Sequence, residues 1–347
     1  MKIGLIGLPN SGKTTIFNAL TNSEAEVRTY AAEKAEPNRA VVDVIDERID
    51  YLSQMYKPKK TVYASVEFID FQGSVQGPPK DWSLSGHATA LMKNTDALAL
   101  VVRNFRDHLG EVPNPLADIL RVEEEFLFSD LLICEGRLER IASGYSRGKK
   151  TEALQAEEKV LGKVLQQLHG ERPLRDLQLN QEEEKIIRGF QFFTGKPFMV
   201  ILNSDEMNFG HHRDLLEEIG RNHKVIEFAG KFEMELSRLN DEQEVELFME
   251  DMGIKESARD RLTRMAYETL KYISFFTVGP DEVHAWNIIL GETALAAAAA
   301  IHTDLARGFI RAECFSYEDT IEYGSEKVIR EKGHFRLEGK NYIIRDG

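Results

Sequence analysis

Residues 7–14, GLPNSGKT, match the phosphate-binding pattern G-x-x-x-x-G-K-[ST] without a gap. The motif follows an apolar run and precedes a helical pattern, which is the context that a phosphate-binding loop (P-loop) requires. Its glycines let backbone N–H groups turn toward phosphate oxygens, and Lys13 adds positive charge for the β- and γ-phosphates. The sequence therefore predicts a nucleotide site, with Lys13 also assisting catalysis, formed by Asn10, Ser11, Gly12, Lys13, Thr14 and Thr15.

A carboxylate that could complete a metal site ends the strand-like segment VEFID. Mg²⁺ takes oxygen ligands and keeps several waters, so it needs few ligands from the protein. Thr14 offers a hydroxyl, and Asp70 offers a carboxylate as the first residue of a D-x-x-G pattern that ends at Gly73. We predict that Thr14 and Asp70 hold Mg²⁺ beside the nucleotide.

A third motif, Asn203-Ser204-Asp205-Glu206, directly follows the apolar run FMVIL and predicts the loop that contacts the nucleotide base. GTPases commonly carry N-K-x-D in this loop, and the aspartate accepts hydrogen bonds from guanine. Here Ser204 replaces the lysine, and the longer Glu206 replaces the aspartate, which puts its carboxylate out of register for guanine. The motif predicts base contacts from Asn203, Ser204 and Glu206 with a loosened guanine preference, so ATP and GTP both stay open as substrates.

Apolar segments typical of buried strands alternate with helical patterns in two ranges of the chain. The strand patterns lie at residues 3–7, 62–70, 97–102, 198–202 and 225–228, and the first helical pattern covers 14–20. We predict an α/β fold, with a mostly parallel sheet flanked by helices, for a P-loop G domain made of residues 1–118 and 196–275.

The range between these two segments, residues 119–195, has apolar positions at helical spacing with charged residues between them. Two long helices joined by GYSRGKK predict an antiparallel helical hairpin, which is a short coiled-coil insertion. Arg147, Lys149 and Lys150 cluster at its turn. This cluster is either a solvated group of charges or a contact for RNA or protein.

Residues 276–347 have a third pattern, with short strands, a Gly-Pro turn and an Ala-rich helix. They predict a small α+β domain. The Ala-rich stretch includes Glu292, His302 and Asp304, so we expect a helix of a water-soluble domain and no membrane span.

The composition excludes several classes of protein. Of 347 residues, 42% are hydrophobic and 29% are charged, as expected for a globular protein of two or three domains. The net charge of −14 argues against coating of nucleic acid through bulk charge. Cys134 and Cys314 fit no metal spacing, and the N-terminus has no signal-peptide pattern, so we expect unpaired thiols in the cytoplasm.

These motifs resemble the YchF subfamily of Obg-like P-loop NTPases. The similarity runs through most of the chain, in GLPNSGKTT, EPNRAVVDVIDERIDYL, VEFID, VVRNF, NPLADI, SARDRL, FFTVGPDEVHAW and IHTDLARGFIRAE. The resemblance implies a G domain with a coiled-coil insertion and a C-terminal TGS domain of β-grasp type, here residues 276–347. It also implies a preference for ATP, which is associated with N-x-x-E, and a link to the ribosome and to stress responses.

The switch segments depart from the pattern of this family. Lys34 occupies the place of a Mg²⁺-binding threonine before the E-P-N triplet, and Ser74 follows Gly73 where Ras-like enzymes hold a catalytic glutamine. The resemblance makes Lys34, Gly73 and Ser74 the candidate switch residues. A family histidine that has been proposed to position the attacking water corresponds to His108, which is therefore a candidate catalytic residue.

Family members usually continue past the position of the final IIRDG with another strand. The resemblance therefore predicts an open sheet edge in the TGS domain.

Functions of different classes fit these observations. A monomeric ATPase or ATP/GTPase switch with slow turnover would report its nucleotide state to the ribosome or rRNA through the hairpin turn and the TGS domain. A nucleotide-binding interaction module with degenerate switches and negligible hydrolysis is the alternative that Lys34 and the altered second switch favour, and a GTP-preferring GTPase is a further one. A P-loop kinase of small metabolites fits the loop but neither N-x-x-E nor the C-terminal region. We favour the hydrolytic switch.

Overall fold

The computed structural model describes residues 1–22, 36–71, 75–76, 83–84, 86–107, 110–239 and 241–347. The chain divides into two compact units. The larger unit comprises Lys2–Ala40 and Phe68–Arg259, and the smaller unit comprises Met1, Val41–Glu67 and Asp260–Gly347. The three-domain division at residues 119, 196 and 276 stays a prediction.

The secondary structure alternates strands and helices through the first half of the chain. In chain order the elements are β1 (Lys2–Ile6), α1 (Lys13–Thr21), β2 (Asn38–Asp43), α2 (Glu47–Tyr56), β3 (Lys60–Val62), β4 (Ser65–Asp70), β5 (Val75–Gln76), β6 (Ser83–Leu84), α3 (Gly86–Met92), β7 (Ala97–Asn104), α4 (Pro115–Ser146), α5 (Glu152–His169), α6 (Gln181–Ile187), β8 (Phe198–Ser204), α7 (Arg213–Gly220), β9 (Lys224–Phe228), α8 (Gly230–Leu236), α9 (Glu242–Asp251), α10 (Ala258–Leu270), β10 (Tyr272–Thr277), β11 (Glu282–Ile289), α11 (Ala294–Ile301), α12 (Thr303–Gly308), β12 (Arg311–Cys314), α13 (Tyr317–Tyr323), α14 (Glu326–Glu331) and β13 (Arg336–Gly339).

The main sheet has the strand order β2-β4-β1-β7-β8-β9, and β1, β7, β8 and β9 run parallel. Of β2 and β4, only Asn38–Ala40 and Phe68–Asp70 belong to the larger unit. Every residue of β8 is buried, because helices cover both faces of a parallel sheet of this kind. The predicted strands at 3–7, 97–102, 198–202 and 225–228 and the predicted P-loop α/β fold are confirmed.

The prediction of one continuous strand over residues 62–70 is wrong. The chain leaves the strand conformation at Tyr63 and Ala64, so that β3 pairs with β11 and β4 belongs to the main sheet. The interruption is held by contacts within the smaller unit. The Ala64 carbonyl accepts from Val44 N at 2.8 Å, and the Tyr63 hydroxyl bonds to Asp50. Such contacts leave no trace in the alternation of apolar residues, which continues through both strands.

The predicted antiparallel helical hairpin is formed by α4 and α5. Pro115 occupies the first turn of α4 and Thr151 caps α5 through Leu154 N, so local sequence sets where both helices begin. Buried residues of both helices form the seam, among them Cys134, Ile141, Leu161 and Val164. Arg137 adds an ion pair between the helices, with its Nε 2.7 Å from Glu157 Oε1.

A buried carboxylate attaches α4 to the segment that precedes β8. Asp130 is completely buried and accepts from Phe193 N at 2.9 Å, from Thr194 N at 2.8 Å and from Thr194 Oγ1 at 2.7 Å. Burial raises the pKa of the Asp130 carboxyl to about 6, although the three donors partly oppose this. Phe126, one turn earlier, stacks on Phe193 with the ring centroids 5.1 Å apart. The hairpin is therefore fixed at its base by both polar and apolar contacts.

The smaller unit contains a three-stranded sheet, β10-β11-β3, and a separate pair, β12-β13. Within the described residues β10 lies at one end of its sheet, where the Ser274 carbonyl accepts from Gly347 N at 2.9 Å. A cavity of about 960 Å³ borders it and is lined by residues of β10, β12 and the chain end, including Phe276, Phe315 and Ile344. Cys134 and Cys314 are both free, as expected. None of the described helices has the length and apolarity needed to cross a membrane.

Candidate nucleotide-binding site

The P-loop motif connects β1 to α1, and two of its glycines are required by close contacts. Gly12 has φ of 83°, in the left-handed region, and a Cβ there would lie 2.1 Å from Asn203 Nδ2. A Cβ on Gly7 would lie 2.6 Å from the Val101 carbonyl oxygen. No larger side chain fits at either position. Because glycine has no Cβ, the backbone can follow the tight path that turns its N–H groups toward a phosphate.

Asp70, at the end of β4, is the centre of the polar contacts beside the P-loop. Its side chain is fully buried, and Lys13 Nζ lies 2.9 Å from its Oδ1. Its other oxygen, Oδ2, accepts from Thr14 Oγ1 at 2.9 Å and from Asn38 Nδ2 at 3.3 Å. The structure therefore brings together three of the residues predicted from the sequence, Lys13, Thr14 and Asp70. It adds Asn38, which the sequence analysis missed although it ends the E-P-N triplet.

The donors around Asp70 suit a hard divalent cation. Asp70 Oδ1 is buried beside Lys13 but has no hydrogen bond of good geometry, and the buried Ser11 Oγ in the P-loop is likewise without a hydrogen-bond partner. One carboxylate and the Thr14 hydroxyl are oxygen ligands of the kind that Mg²⁺ uses when it also keeps several waters. The described part of the chain has no cluster of three or more His, Cys, Asp or Glu residues that would suit a metal held by protein alone. The residues present therefore fit Mg²⁺ beside a phosphate ligand.

Asn203, the last buried position but one of β8, ties the P-loop to the loop after β9. Its Nδ2 donates to the Ser11 carbonyl at 2.9 Å, and its Oδ1 accepts from Gly230 N at 3.1 Å. Gly230 is required there because a Cβ would lie 2.5 Å from Asn203 Oδ1. Gly230 was not predicted from the sequence. The signal that could have identified it is a glycine shortly after a predicted strand. In this structure both polar ends of the Asn203 side chain are used in holding loops in place.

The remaining residues of the N-x-x-E motif point in different directions. Ser204 is buried, and its hydroxyl accepts from Asn104 Nδ2 at 2.9 Å and donates to Glu227 Oε1 at 2.5 Å. Asp205 accepts from Asn208 N at 3.0 Å within its own turn. Glu206 is exposed. Of the predicted base-contacting side chains, Glu206 is thus the one directed to the surface, and Ser204 is directed inward.

The other predicted residues fall into three groups. Asn10, with φ of 63°, and Thr15 lie in the P-loop and at the start of α1 as expected. Arg147, Lys149 and Lys150 are exposed at the hairpin turn. The predicted switch residues Lys34, Gly73 and Ser74 and the catalytic candidate His108 lie outside the described residues.

Comparison with family models finds two matches. The model described as a 50S ribosome-binding GTPase matches residues 2–129, and the model YchF-GTPase_C, described as a protein of unknown function, matches residues 272–347.

Curated relatives match this chain from end to end. The ribosome-binding ATPase YchF of Haemophilus influenzae is 38% identical, and the comparison covers 100% of this chain and 97% of the relative. The protein of the same name from Bacillus subtilis is 34% identical over 99% of this chain and 96% of the relative.

A solved structure has the same fold over the same length. The YchF GTPase of Schizosaccharomyces pombe superposes with a TM-score of 0.85 at 30% identity, covering 100% of this chain and 96% of the other. Sequence and fold therefore agree along the whole chain.

Proposed function

The chain belongs to the YchF family of P-loop NTPases, and from this premise we propose that it binds ATP with Mg²⁺, hydrolyses it slowly, and reports its nucleotide state to the ribosome. The observation that carries the proposal is the contact of Lys13 and Thr14 with the buried Asp70, at 2.9 Å in both cases. The P-loop lysine, the hydroxyl and the carboxylate are the groups that a P-loop NTPase uses around the β- and γ-phosphates. ATP, rather than GTP, is supported by Glu206 and by the curated relatives, which are named ATPases.

Nucleotide binding would exchange the partners in this cluster. The Lys13 ammonium now neutralises Asp70, and a triphosphate offers it a stronger anionic partner. Thr14 and Asp70 would then hold Mg²⁺, which neutralises charge on the β- and γ-phosphates when it is bound. Asn38 would register this exchange, because it bonds to the same Asp70 oxygen as Thr14 and lies four residues after the switch candidate Lys34. The proposal also includes Lys34, Gly73 and Ser74 as switch residues and His108 as the residue that positions the attacking water. These four roles rest on sequence position.

The ribosome is proposed as the partner because the curated relatives are named ribosome-binding ATPases. Its contact is assigned to rRNA at the hairpin turn, where Arg147, Lys149 and Lys150 are exposed, together with the C-terminal domain. We expect the protein to act as a monomer in the cytoplasm.

Phosphate release tests hydrolysis directly. The wild-type protein with Mg²⁺ should release phosphate from ATP above the level of a Lys13→Ala variant, and faster with ribosomes present. Release at the level of the variant under both conditions would leave a nucleotide-binding interaction module as the function.

Replacing Glu206 by aspartate should move the base preference toward GTP. The shorter carboxylate restores the register that GTPases use for guanine, whereas wild-type protein should be stabilised more by ATP than by GTP. At a ligand concentration of a hundred times the Kd, stabilisation amounts to about 2.7 kcal/mol, which thermal unfolding detects. We expect the ratio of GTP to ATP affinity to rise about tenfold, or about 1.4 kcal/mol. Glu218→Asp, at an exposed position of α7, is the matched control. An unchanged ratio would assign base selection to other residues.

Reversing the charges of the hairpin turn should weaken ribosome association. Each contact between a basic side chain and an rRNA phosphate releases counterions, and this release favours binding and makes it depend on salt. A variant with glutamate at 147, 149 and 150 loses these contacts, so it should bind ribosomes at least about tenfold more weakly and with a smaller salt dependence. Co-sedimentation with ribosomes at several salt concentrations measures both effects. The control carries glutamate at three other exposed basic positions of the larger unit, Lys185, Arg213 and Arg221. Equal loss in the two variants would show that total charge, and not the turn, controls binding.

A further inference from the structure

Buried polar side chains connect the carboxyl ends of three neighbouring strands. Asn104 ends β7, Ser204 ends β8, and Glu227 lies near the end of β9. Asn104 Nδ2 donates to Ser204 Oγ at 2.9 Å, and Ser204 Oγ donates to Glu227 Oε1 at 2.5 Å. All three side chains are buried. None of the P-loop motifs requires a carboxylate at position 227, so this chain of hydrogen bonds calls for an explanation of its own.

Glu227 also contacts the far end of the loop of residues 204–210, which is called the base loop here because it carries Glu206. Its second oxygen, Oε2, accepts from Gly210 N at 3.1 Å. Gly210 has φ of 80°, a conformation that favours glycine, and it closes the turn that follows Glu206. One carboxylate therefore holds the loop of residues 204–210 at both of its ends.

The exposed Glu206 lies between these two fixed points. Within the loop, the Asp205 carboxylate accepts from Asn208 N at 3.0 Å, and the Asp205 carbonyl accepts from Phe209 N at 3.0 Å. The short segment therefore has hydrogen bonds of its own. The hydrogen bonds at Ser204 and Gly210 hold the backbone from which the Glu206 side chain extends. Charge-assisted hydrogen bonds such as those of Glu227 are stronger than neutral ones, which suits them to this task.

We infer that Glu227 is a positioning residue for base recognition, which fixes the 204–210 loop so that Glu206 meets the purine base. The inference rests on the proposed function, since it assumes that this loop contacts a nucleotide base. It assigns a separate support to each end of the ligand. The phosphate end is held by the P-loop with Asp70 and Asn203, and the base end is held by Glu227.

This separation gives the inference a specific signature. Loss of the carboxylate should loosen the base loop and leave the P-loop in place, because Asn203 anchors Ser11 and Gly230 without help from Glu227. Affinity for a nucleotide should fall, while affinity for inorganic tripolyphosphate, which has the phosphates but no base, should not.

Amide hydrogen exchange of the ligand-free protein tests the positioning itself. In Glu227→Ala the exchange of the Gly210 amide should accelerate about tenfold or more, because its acceptor is gone, while the Gly230 amide, which Asn203 holds, should be unaffected. Glu227→Gln keeps an acceptor oxygen at the same distance along the side chain and should retain much of the protection. Unchanged exchange at Gly210 in Glu227→Ala would overturn the inference, as would equal acceleration at Gly210 and Gly230.

Calorimetric titration with ATP, GTP and tripolyphosphate in the presence of Mg²⁺ tests the consequence for recognition. In Glu227→Ala the affinity for ATP should fall about tenfold, the energy of roughly one charge-assisted hydrogen bond, and the ratio of ATP to GTP affinity should approach one. Tripolyphosphate affinity should stay within about twofold of wild type, and Glu227→Gln should recover most of the ATP affinity. Equal losses for ATP and tripolyphosphate would overturn the inference. If wild-type protein binds none of the three ligands, the proposed function fails instead, and the exchange measurement, which needs no ligand, still decides whether Glu227 holds the loop.

Discussion

Replacing Lys13 by alanine is expected to abolish both the stabilisation of this protein by ATP and its release of phosphate. Lys13 supplies the point charge for the β- and γ-phosphates, and the rest of the P-loop offers only backbone N–H groups and hydroxyls. The thermal stabilisation of about 2.7 kcal/mol expected for wild type at a hundred times the Kd should disappear at the same ATP concentration. Scanning calorimetry with and without ATP and Mg²⁺, and phosphate release under the same conditions, measure the two effects.

The same substitution should also weaken the protein without ligand. Lys13 is the cation beside the fully buried Asp70, and removing one partner of a buried ion pair typically costs about 3 kcal/mol or more. Replacing Asp70 by asparagine in the Lys13→Ala background removes the uncompensated charge and should recover part of that loss. Lys159→Ala, at an exposed position of α5, is the matched control and should change neither stability nor ATP binding. Undiminished ATP stabilisation in Lys13→Ala would exclude the P-loop as the phosphate site.

Replacing Asp130 by alanine should destabilise the larger unit by at least about 3 kcal/mol, because it leaves three buried donors without an acceptor and each such donor costs about 1–3 kcal/mol. The donors concerned are the N–H groups of Phe193 and Thr194 and the Thr194 hydroxyl. Urea unfolding, monitored by hydrogen exchange in α4 and β8, measures the loss of stability within this unit. Monitoring these elements is needed because a single two-state fit does not apply to a chain of two units. Asp130→Asn keeps one acceptor oxygen and should lose less. Glu139→Ala, exposed on the same helix, should change stability by less than about 0.5 kcal/mol, and a similar loss there would attribute the effect to the helix in general.

The stability of wild type relative to Asp130→Asn should fall as the pH rises from about 4 to about 7. Burial raises the pKa of the Asp130 carboxyl from 3.8 to about 6, so between these values the folded state binds a proton that the unfolded state does not. The contribution of this group is therefore fully present below about pH 4 and is lost as the pH passes through about 6, with a total on the order of 3 kcal/mol. Urea unfolding at several pH values measures the difference between the two proteins. Parallel profiles would show that the Asp130 carboxyl titrates at its ordinary value in the folded state.

The P-loop was predictable because everything it needs lies within eight consecutive residues. Gly7 and Gly12 are required by the backbone path, and Lys13 and Thr14 follow at the start of a helix whose position the apolar pattern indicates. Strands β1, β7 and β8 were predictable for a similar reason, since a strand buried on both faces is a short continuous apolar run. The strand at 62–70 was not, because its alternating pattern does not show that two sheets share it.

The partners of these local elements could not be predicted, because they depend on which strand ends meet. Asp70 lies 56 positions from Thr14, and Asn203 lies 192 positions from Ser11. Sequence position suggested Asp70 as the carboxylate, since it ends a strand after a P-loop, and the structure brings it beside Lys13 and Thr14. The same kind of argument gave Ser204 a place at the base, and the structure instead turns its hydroxyl inward to Asn104 and Glu227.

The sequence by itself thus determined the class of ligand and the family, because the P-loop is a local backbone structure and the other family motifs are contiguous runs. Only the tertiary structure decided how the site is supported. The order of β4, β1, β7, β8 and β9 places Asp70 beside Lys13, Asn203 between the P-loop and Gly230, and Glu227 against the loop of residues 204–210. The register of parallel strands is set by packing across the whole sheet, so no local pattern of residues specifies which side chains will meet at its edge.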